Sequence, residues 1–486
     1  MTHDLIVIGA GPAGMAAAVA GAEFGLKTAV LEEQIRPGGQ IYRNILEVAP
    51  DLAAMLGVDY TAGRQLAQTF AASAIDRFYD ASVWNIAPDL TVAALQDGRT
   101  VQLRAPQLIV ATGAMERASP VPGWTLPGVL NAGAAQIALK SGGSVPAGRV
   151  LLAGSGPLLL LVACQLLAAG ATLAAILETS PPKNAFRALP YLPQALMAPK
   201  LLAKGLGMMR CIRRARIPWF RSVHDLSIEG RERVEAVSFK VARRHHRLEA
   251  DIVLLHHGVV PNTQISRLLR VEHDWNDAQQ AWHPRRDEFC QTSLSGLRIA
   301  GDGGGIAGAI AASQSGRLAA IGAAHALGRL PDSDRDRLAY PFRKTLDAQL
   351  RIRPFLDALY RPPQWITAPA DGTIVCRCEE ITAAEVVQTV QLGSLGPNQM
   401  KFFSRCGMGP CQGRICGMPV VGILARELGK SPAEVGAYRV RAPLKPIPLA
   451  SMARLEQPET TAADRPAREC RPNVWIASDT KRGRPE

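Results

Sequence analysis

Five of the nine cysteines crowd into one stretch of the chain: Cys376-Arg-Cys378, then Cys406, Cys411 and Cys416. Thiols gathered this closely do metal or redox chemistry. On loops and at helix N-termini the thiolate is favoured, and thiolates suit soft iron. Four of them hold a [2Fe–2S] cluster, and a four-cysteine set also suits zinc. A second chemical signature opens the chain, Gly9-Ala10-Gly11-Pro12-Ala13-Gly14, with Glu32 eighteen residues past the last glycine. In such a turn Gly9 permits the bend, Gly11 lets backbone approach a pyrophosphate and Gly14 lets helix pack on strand. Glu32 can accept hydrogen bonds from a ribose diol.

The elements that must position these groups are legible. Asp4 to Gly9 is apolar on both faces, as a parallel strand requires. An alanine-rich helix follows to about Phe24, and a strand from Lys27 to Leu31 leads into Glu32. Near the cysteines, Thr382-Ala-Ala-Glu385 and Ser431-Pro-Ala-Glu434 are capping boxes, so a helix begins just after Cys378 and another after Gly429. A further helix is expected over 418–428, and one over 346–360 before a Pro362-Pro363 linker.

The acid is followed by Gln34-Ile-Arg-Pro-Gly-Gly-Gln-Ile-Tyr-Arg43, which resembles the loop lying along the flavin in flavoproteins of the glutathione-reductase type. Gln107-Leu-Ile-Val-Ala-Thr-Gly113 resembles their Ala-Thr-Gly motif, and Leu297-Arg-Ile-Ala-Gly-Asp302 the motif whose carboxylate binds the ribityl chain. The resemblance implies FAD, held by Gly9, Gly11, Pro12, Ala13, Gly14, Glu32, Glu33, Gly39, Gln40, Thr112, Gly113, Gly301 and Asp302, with Tyr42 and Arg43 bordering the flavin. The flavin beside a CxC spacing favours iron–sulfur over zinc.

A second strand–turn–helix runs through Gly154-Ser155-Gly156, and its strand from Thr172 to Leu177 ends at Glu178. The third glycine is replaced by Leu159, which is expected to hold the helix off the strand and distort a pyrophosphate site. Glu178 disfavours a 2′-phosphate. NAD(P)H is therefore not the expected ligand; an adenine nucleotide held structurally, with Gly154, Gly156 and Glu178, or an empty relic, are the alternatives. No CxxC pair lies between Gly113 and Cys376, so disulfide-reductase chemistry is not expected.

The whole is 486 residues, 47% apolar and 20% charged, which excludes a disordered chain and allows about three domains. The net charge of +13 suits an acidic partner or a phosphate ligand, while nucleic-acid signatures are missing. Met1-Thr-His-Asp4 is not a signal peptide, which with the cysteine usage points to the cytoplasm. The apolar run Val150 to Leu177 has the length of a membrane span, but Gly154, Gly156, Pro157 and Gly170 break it. Between Thr179 and His224 stand nine bases and no acid, interleaved with Leu, Met, Trp and Phe. That segment reads as a helix on a membrane surface, an arm gripping an acidic partner, or a solvated insertion.

Up to about Pro448 the chain is similar to the FAD- and iron–sulfur-binding subunit of bacterial opine oxidases, hydrogen cyanide synthase and D-hydroxyproline dehydrogenase. The phrases carrying this are PGGQIYR, GSGPLLLLVA, QTSLSGLRIAGDGGGIAGA, CRCEEIT and RCGMGPCQGRICG. The last two also resemble the module of the bacterioferritin-associated ferredoxin, which implies Cys376, Cys378, Cys411 and Cys416 as ligands and Cys406 as a spare. The resemblance implies a partner similar to D-amino-acid oxidases that oxidises an amino acid, imino acid or opine. A small ferredoxin-like subunit can accompany it. This chain would relay electrons to a quinone or respiratory acceptor, with membrane contact at most peripheral to the inner face.

The expected fold is α/β: two glutathione-reductase-like dinucleotide domains and a small, mostly helical cysteine module. FAD falls to 1–115 and 283–330, the second nucleotide fold to 116–282 with its basic insertion at 179–224. A helical linker takes 331–370, the [2Fe–2S] module 371–440, a docking segment 441–456 and a disordered tail 457–486. A self-sufficient NADH:acceptor oxidoreductase and a non-catalytic scaffold subunit are the competing functions.

Overall fold

The computed structural model describes residues 3–453; the expected tail with Cys470 lies outside them. Two parallel sheets organise the chain. The first has the order Leu297–Ile299, Gln107–Val110, Leu5–Ile8, Thr28–Leu31, Asp76–Phe78. All its ladders are parallel, with Leu5 opposite both Thr28 and Gln107. One edge strand thus comes from nearly two hundred residues beyond its neighbour, so the first fold is built from two separated pieces. Residues Leu5 to Val7 are fully buried, each side chain contributing about 1.5–3 kcal/mol relative to exposure. The helices Pro12–Glu23 and Ala309–Ala326 pack together over one face. Gly316 makes this contact possible, because a Cβ there would lie 2.1 Å from the Ala13 carbonyl oxygen. The antiparallel meander Ser82–Ile86, Val92–Gln96, Arg99–Leu103 covers the other face.

The second sheet has the order Trp219–Phe220, Leu173–Glu178, Val150–Gly154, Ile252–His256, Val129–Asn131, again all parallel. Helices Ala132–Gly142, Pro157–Ala168 and Pro199–Arg214 lie on one side and the meander from Val223 to Glu249 on the other. Two short antiparallel strands, Ala114–Glu116 and Val259–Pro261, carry the chain between the folds. The apolar run at 150–177 is strand, helix and strand, and among the described residues no helix is long and apolar enough to cross a membrane.

The basic segment folds as helices Lys183–Ala188, Leu192–Leu196 and Pro199–Arg214. Of its nine bases only Lys204, to Asp59, and Arg221, to Glu178, make ion pairs among the described residues. Phe186, Leu189, Leu196, Met197 and Leu206 are each more than half exposed beside them. The single helix expected over 346–360 is two, Asp332–Leu350 and Arg353–Leu359. Pro354 explains the break: it sits in the first turn of the second helix, where its missing N–H costs nothing, and disfavours helical continuation through Arg353.

The last region has its own core, with Val375, Met400, Val420, Ile423 and Leu424 fully buried. Both capping boxes form: the Thr382 hydroxyl accepts from the Glu385 N–H, whose carboxylate accepts from the Thr382 N–H at 2.9 Å, a cap of about 1 kcal/mol. The Trp124 indole donates to the Ile374 carbonyl at 2.6 Å, and Ile366 enters the core of the second fold. The chain then returns to the first fold. Val440 and Leu444 pack against its sheet, the Leu444 N–H donates to the Trp84 carbonyl, and the Ser451 hydroxyl donates to the Gly98 carbonyl.

Candidate functional site

The first glycine turn fits tightly. Gly9 has φ +99°, and a Cβ on it would stand 2.7 Å from the Ala111 oxygen; one on Gly14 would stand 1.8 Å from the Gly9 oxygen. No other residue fits at either position. The Gly38-Gly39 loop lies on this turn, since a Cβ on Gly39 would come within 2.8 Å of the Gly11 Cα. Pro12 and Ala13 begin the buried helix whose free N–H groups face the turn. Glu32 is buried and accepts from the Ala10 N–H at 2.6 Å and the Gln34 N–H at 2.9 Å. Burial raises its carboxyl above the usual range against these bonds. It therefore fastens turn and loop to each other as well as marking the end of its strand.

Asp302 accepts from the N–H groups of Ala307 and Gly308 at 2.9 and 3.0 Å, ordering the entry to the helix Ala309–Ala326. Gly301 lets this segment close on Ala13, 2.7 Å from where its Cβ would be. Thr112 and Gly113 follow the strand Gln107–Val110, and the Gly113 carbonyl accepts from the Asn262 N–H. Glu33 is half exposed and pairs with Lys445. The Gln40 carbonyl accepts from Lys140 at 3.1 Å, and the same ammonium reaches Gln136 at 3.0 Å. Burial, then Arg43, lowers Lys140 to about 8. Nothing in the sequence singles out this lysine, because only the fold brings it from a helix a hundred residues away.

At the second turn Gly154 stays inside the strand, paired with Glu178 and His256. Gly156 takes φ +109°, whereas the corresponding Gly11 has φ −73°. Leu159 is fully buried among Val162, Ala163 and Leu166. The Glu178 carboxylate accepts from the Trp219 indole at 3.1 Å, with Arg221 at 3.8 Å, while burial raises it.

In the cysteine region, Cys376, Cys406 and Cys416 are buried with sulfur atoms all within 4.8 Å of one another. Their hydroxyl neighbour is Tyr438, 3.6 Å from Cys406 and 4.0 Å from Cys416. Thiol donors from Cys406 and Cys416, with the N–H groups of Gly407 and Glu379, hold Cys376 as a thiolate, lowered to about 2. Its bond to Cys376, with burial, pushes Cys406 up to about 12. Cys378, exposed, and Cys411, half-buried, hydrogen-bond to each other at the rim. Glycines make the wrapping possible: a Cβ on Gly409 would lie 2.3 Å from the Cys378 Cβ, and ones on Gly407 and Gly413 would strike the Tyr438 ring. Cys406, expected as the spare, thus lies inside the buried triad, and Cys378 and Cys411 lie outside it.

Two nucleotide-type cradles in tandem, the first with a flavin loop laid over it, define an FAD-dependent oxidoreductase. Residues 3–316 match the pyridine nucleotide-disulphide oxidoreductase family, and residues 371–455 match the sarcosine oxidase A3 domain. The chain is 46% identical over 475 residues to the opine oxidase A subunit of Agrobacterium tumefaciens, covering 95% of this chain and 93% of that one. It is 31% identical over 463 residues to the HcnB subunit of hydrogen cyanide synthase from Pseudomonas aeruginosa, covering 93% and 98%. The crystal structure of L-proline dehydrogenase from P. horikoshii shares the fold, with a TM-score of 0.67 at 18% identity over 93% of this chain and 80% of that one. The chain belongs to the family of opine oxidase A subunits.

Proposed function

We propose that this chain is the electron-relaying subunit of a heteromeric dehydrogenase acting on an amino acid, imino acid or opine of the D-hydroxyproline, octopine, nopaline or glycine type. The observation carrying the reading is that one chain joins a flavin cradle to a buried cysteine centre through packed structure. Gln412, Gly413 and Tyr438 of the cysteine region line one cavity with Met115 and Val260 of the hinge strands. A partner similar to D-amino-acid oxidases takes a hydride from carbon while nitrogen loses a proton, two electrons and two protons in all, turning HC–NH into C=N. The two electrons leave through this chain to a quinone, which takes up two protons to become the quinol.

FAD supplies the exchange between two-electron and one-electron chemistry when bound. The residues assigned to it are those of the first cradle: Gly9, Gly11, Pro12, Ala13, Gly14, Glu32, Glu33, Gly39, Gln40, Thr112, Gly113, Gly301 and Asp302. The crowded thiols, with Cys376 already favoured as thiolate, suit a [2Fe–2S] cluster. The family pattern assigns it to Cys376, Cys378, Cys411 and Cys416. The basic arm, with seven bases free of ion pairs among the described residues, is the surface assigned to the acidic partner. The second cradle is assigned an adenine nucleotide.

The test is to purify the chain with its partner and assay opines, D-hydroxyproline and glycine with a dye acceptor, alongside metal and flavin analysis. Turnover that needs both subunits, with iron and FAD on this one, is expected. Zinc in place of iron, or flavin bleached by NADH alone, would overturn the relay reading.

A further inference from the structure

The second cradle holds buried polar groups that the fold leaves without partners. The Ser155 and Thr179 hydroxyls, on residues 2% and 1% exposed, have no hydrogen-bond partner among the described residues. Both sit at the turn: Ser155 lies between its two glycines, and the Thr179 N–H donates to the Gly154 carbonyl. Unpartnered buried hydroxyls are costly, so a turn that retains two of them is shaped for a ligand. Facing the turn is His256, 3% exposed, at the end of the neighbouring strand. Its Nδ1 lies 2.6 Å from the Glu116 carboxylate, whose other oxygen accepts from the Gly133 N–H. Its Nε2 has no partner among the described residues and lies 3.8 Å from where a Cβ on Gly156 would be. Any side chain at Gly156 would fill the space in front of that nitrogen.

We propose that His256, fixed through Nδ1 by Glu116, donates from Nε2 to the terminal phosphate of an adenine nucleotide seated on the Gly154–Gly156 turn, with Ser155 and Thr179 as its hydroxyl donors. This rests on the assignment of an adenine nucleotide to the second cradle, and deepens it by naming the recognition group and the ligand class. In the proposed complex Glu116 accepts at Nδ1 and the phosphate at Nε2, so each ring nitrogen is used as a donor. A terminal phosphate carries close to two negative charges at neutral pH, more than either phosphate of a dinucleotide diester. The site therefore selects ADP or ATP over NAD+. The other charged or titratable groups on the surrounding elements are engaged elsewhere. Arg117 donates to the carbonyls of His257, Gln279 and Gln280, His257 faces Ser119, and Glu178 is held by Trp219 and Arg221.

Calorimetric titration of the FAD-loaded full chain with ADP, ATP and NAD+ tests this. The wild type should bind ADP more tightly than NAD+. His256→Gln should weaken ADP at least about tenfold, the size of a lost charge-assisted bond, with flavin absorbance per chain unchanged. Equal ADP affinity in wild type and His256→Gln overturns the inference while leaving the nucleotide assignment standing. A wild type that binds none of the three overturns the assignment itself. Should His256→Gln lose its flavin, Ser155→Ala decides: weaker ADP binding supports the proposal and unchanged binding overturns it.

Discussion

The two glycine turns start from nearly the same sequence pattern and end as different sites. In the first, Gly14 stands where a Cβ would collide with the Gly9 carbonyl, and helix and strand touch backbone to backbone. In the second, Leu159 fills the equivalent place and packs into the core, and Gly156 adopts the left-handed backbone that Gly11 does not need. The two turns therefore differ both at the third glycine and in the backbone just before the helix. The acids differ too. Glu32 binds the N–H groups of its own turn and loop, whereas Glu178 is turned to Trp219 and Arg221. Similar motifs thus specify a strand–helix junction, and the two junctions differ at the third glycine and in where their acids bind.

The contrast breaks most easily at the two packing residues. Gly14→Val should strip the flavin and destabilise the chain by about 4 kcal/mol or more, because neither backbone can move away. Flavin absorbance per chain and the urea unfolding midpoint measure this, and a variant that stays yellow would refute it. Leu159→Ala should cost about 3 kcal/mol of stability through the cavity it leaves, yet keep the flavin.

The first cradle buries an ammonium, Lys140, whereas the second buries an imidazole–carboxylate pair. The value for Lys140 falls from 10.5 to about 8 on folding, so the folded chain releases this proton first. Below about pH 8 both states are charged and the full burial penalty applies. As the pH rises from about 8 to 10.5 the penalty fades, and stability should increase by roughly 3 kcal/mol from this group. Lys140→Met should flatten that part of the stability–pH curve.

Glu32→Gln should lose about 1–2 kcal/mol and some flavin affinity, because an amide oxygen serves only one of the two N–H groups well. Glu178→Gln should cost less than about 1 kcal/mol, its indole bond surviving and its arginine being exposed. Thermal unfolding of the two variants side by side ranks them; equal losses would erase the distinction drawn between the acids.

What the amino-acid order makes legible is local. Glycine turns, capping boxes and the strand leading to Asp302 depend on residues a few positions apart, and they form where the pattern puts them. The effect of Pro354 on the helix after Leu350 is also local, but the periodic run around it reads as continuous. The groups that escape such reading are products of distance along the chain. His256 meets Glu116 across 140 residues, Lys140 meets Gln40 across 100, and Glu33 meets Lys445 across 412. No periodicity encodes such meetings. The place of Cys406 beside Cys376 and Cys416 likewise follows from how the loop Arg405–Gly413 wraps Tyr438, not from spacing.

The return of the chain to the first fold, through Lys445 on Glu33, Leu444 on Trp84 and Ser451 on Gly98, makes the cysteine region a span supported at both ends. A module hung from one linker would swing, and its separation from the flavin fold would fluctuate. Clamped at Trp124 on one side and at this strap on the other, its position is set once, when the chain folds. Cutting the strap would release one abutment without touching a single thiol.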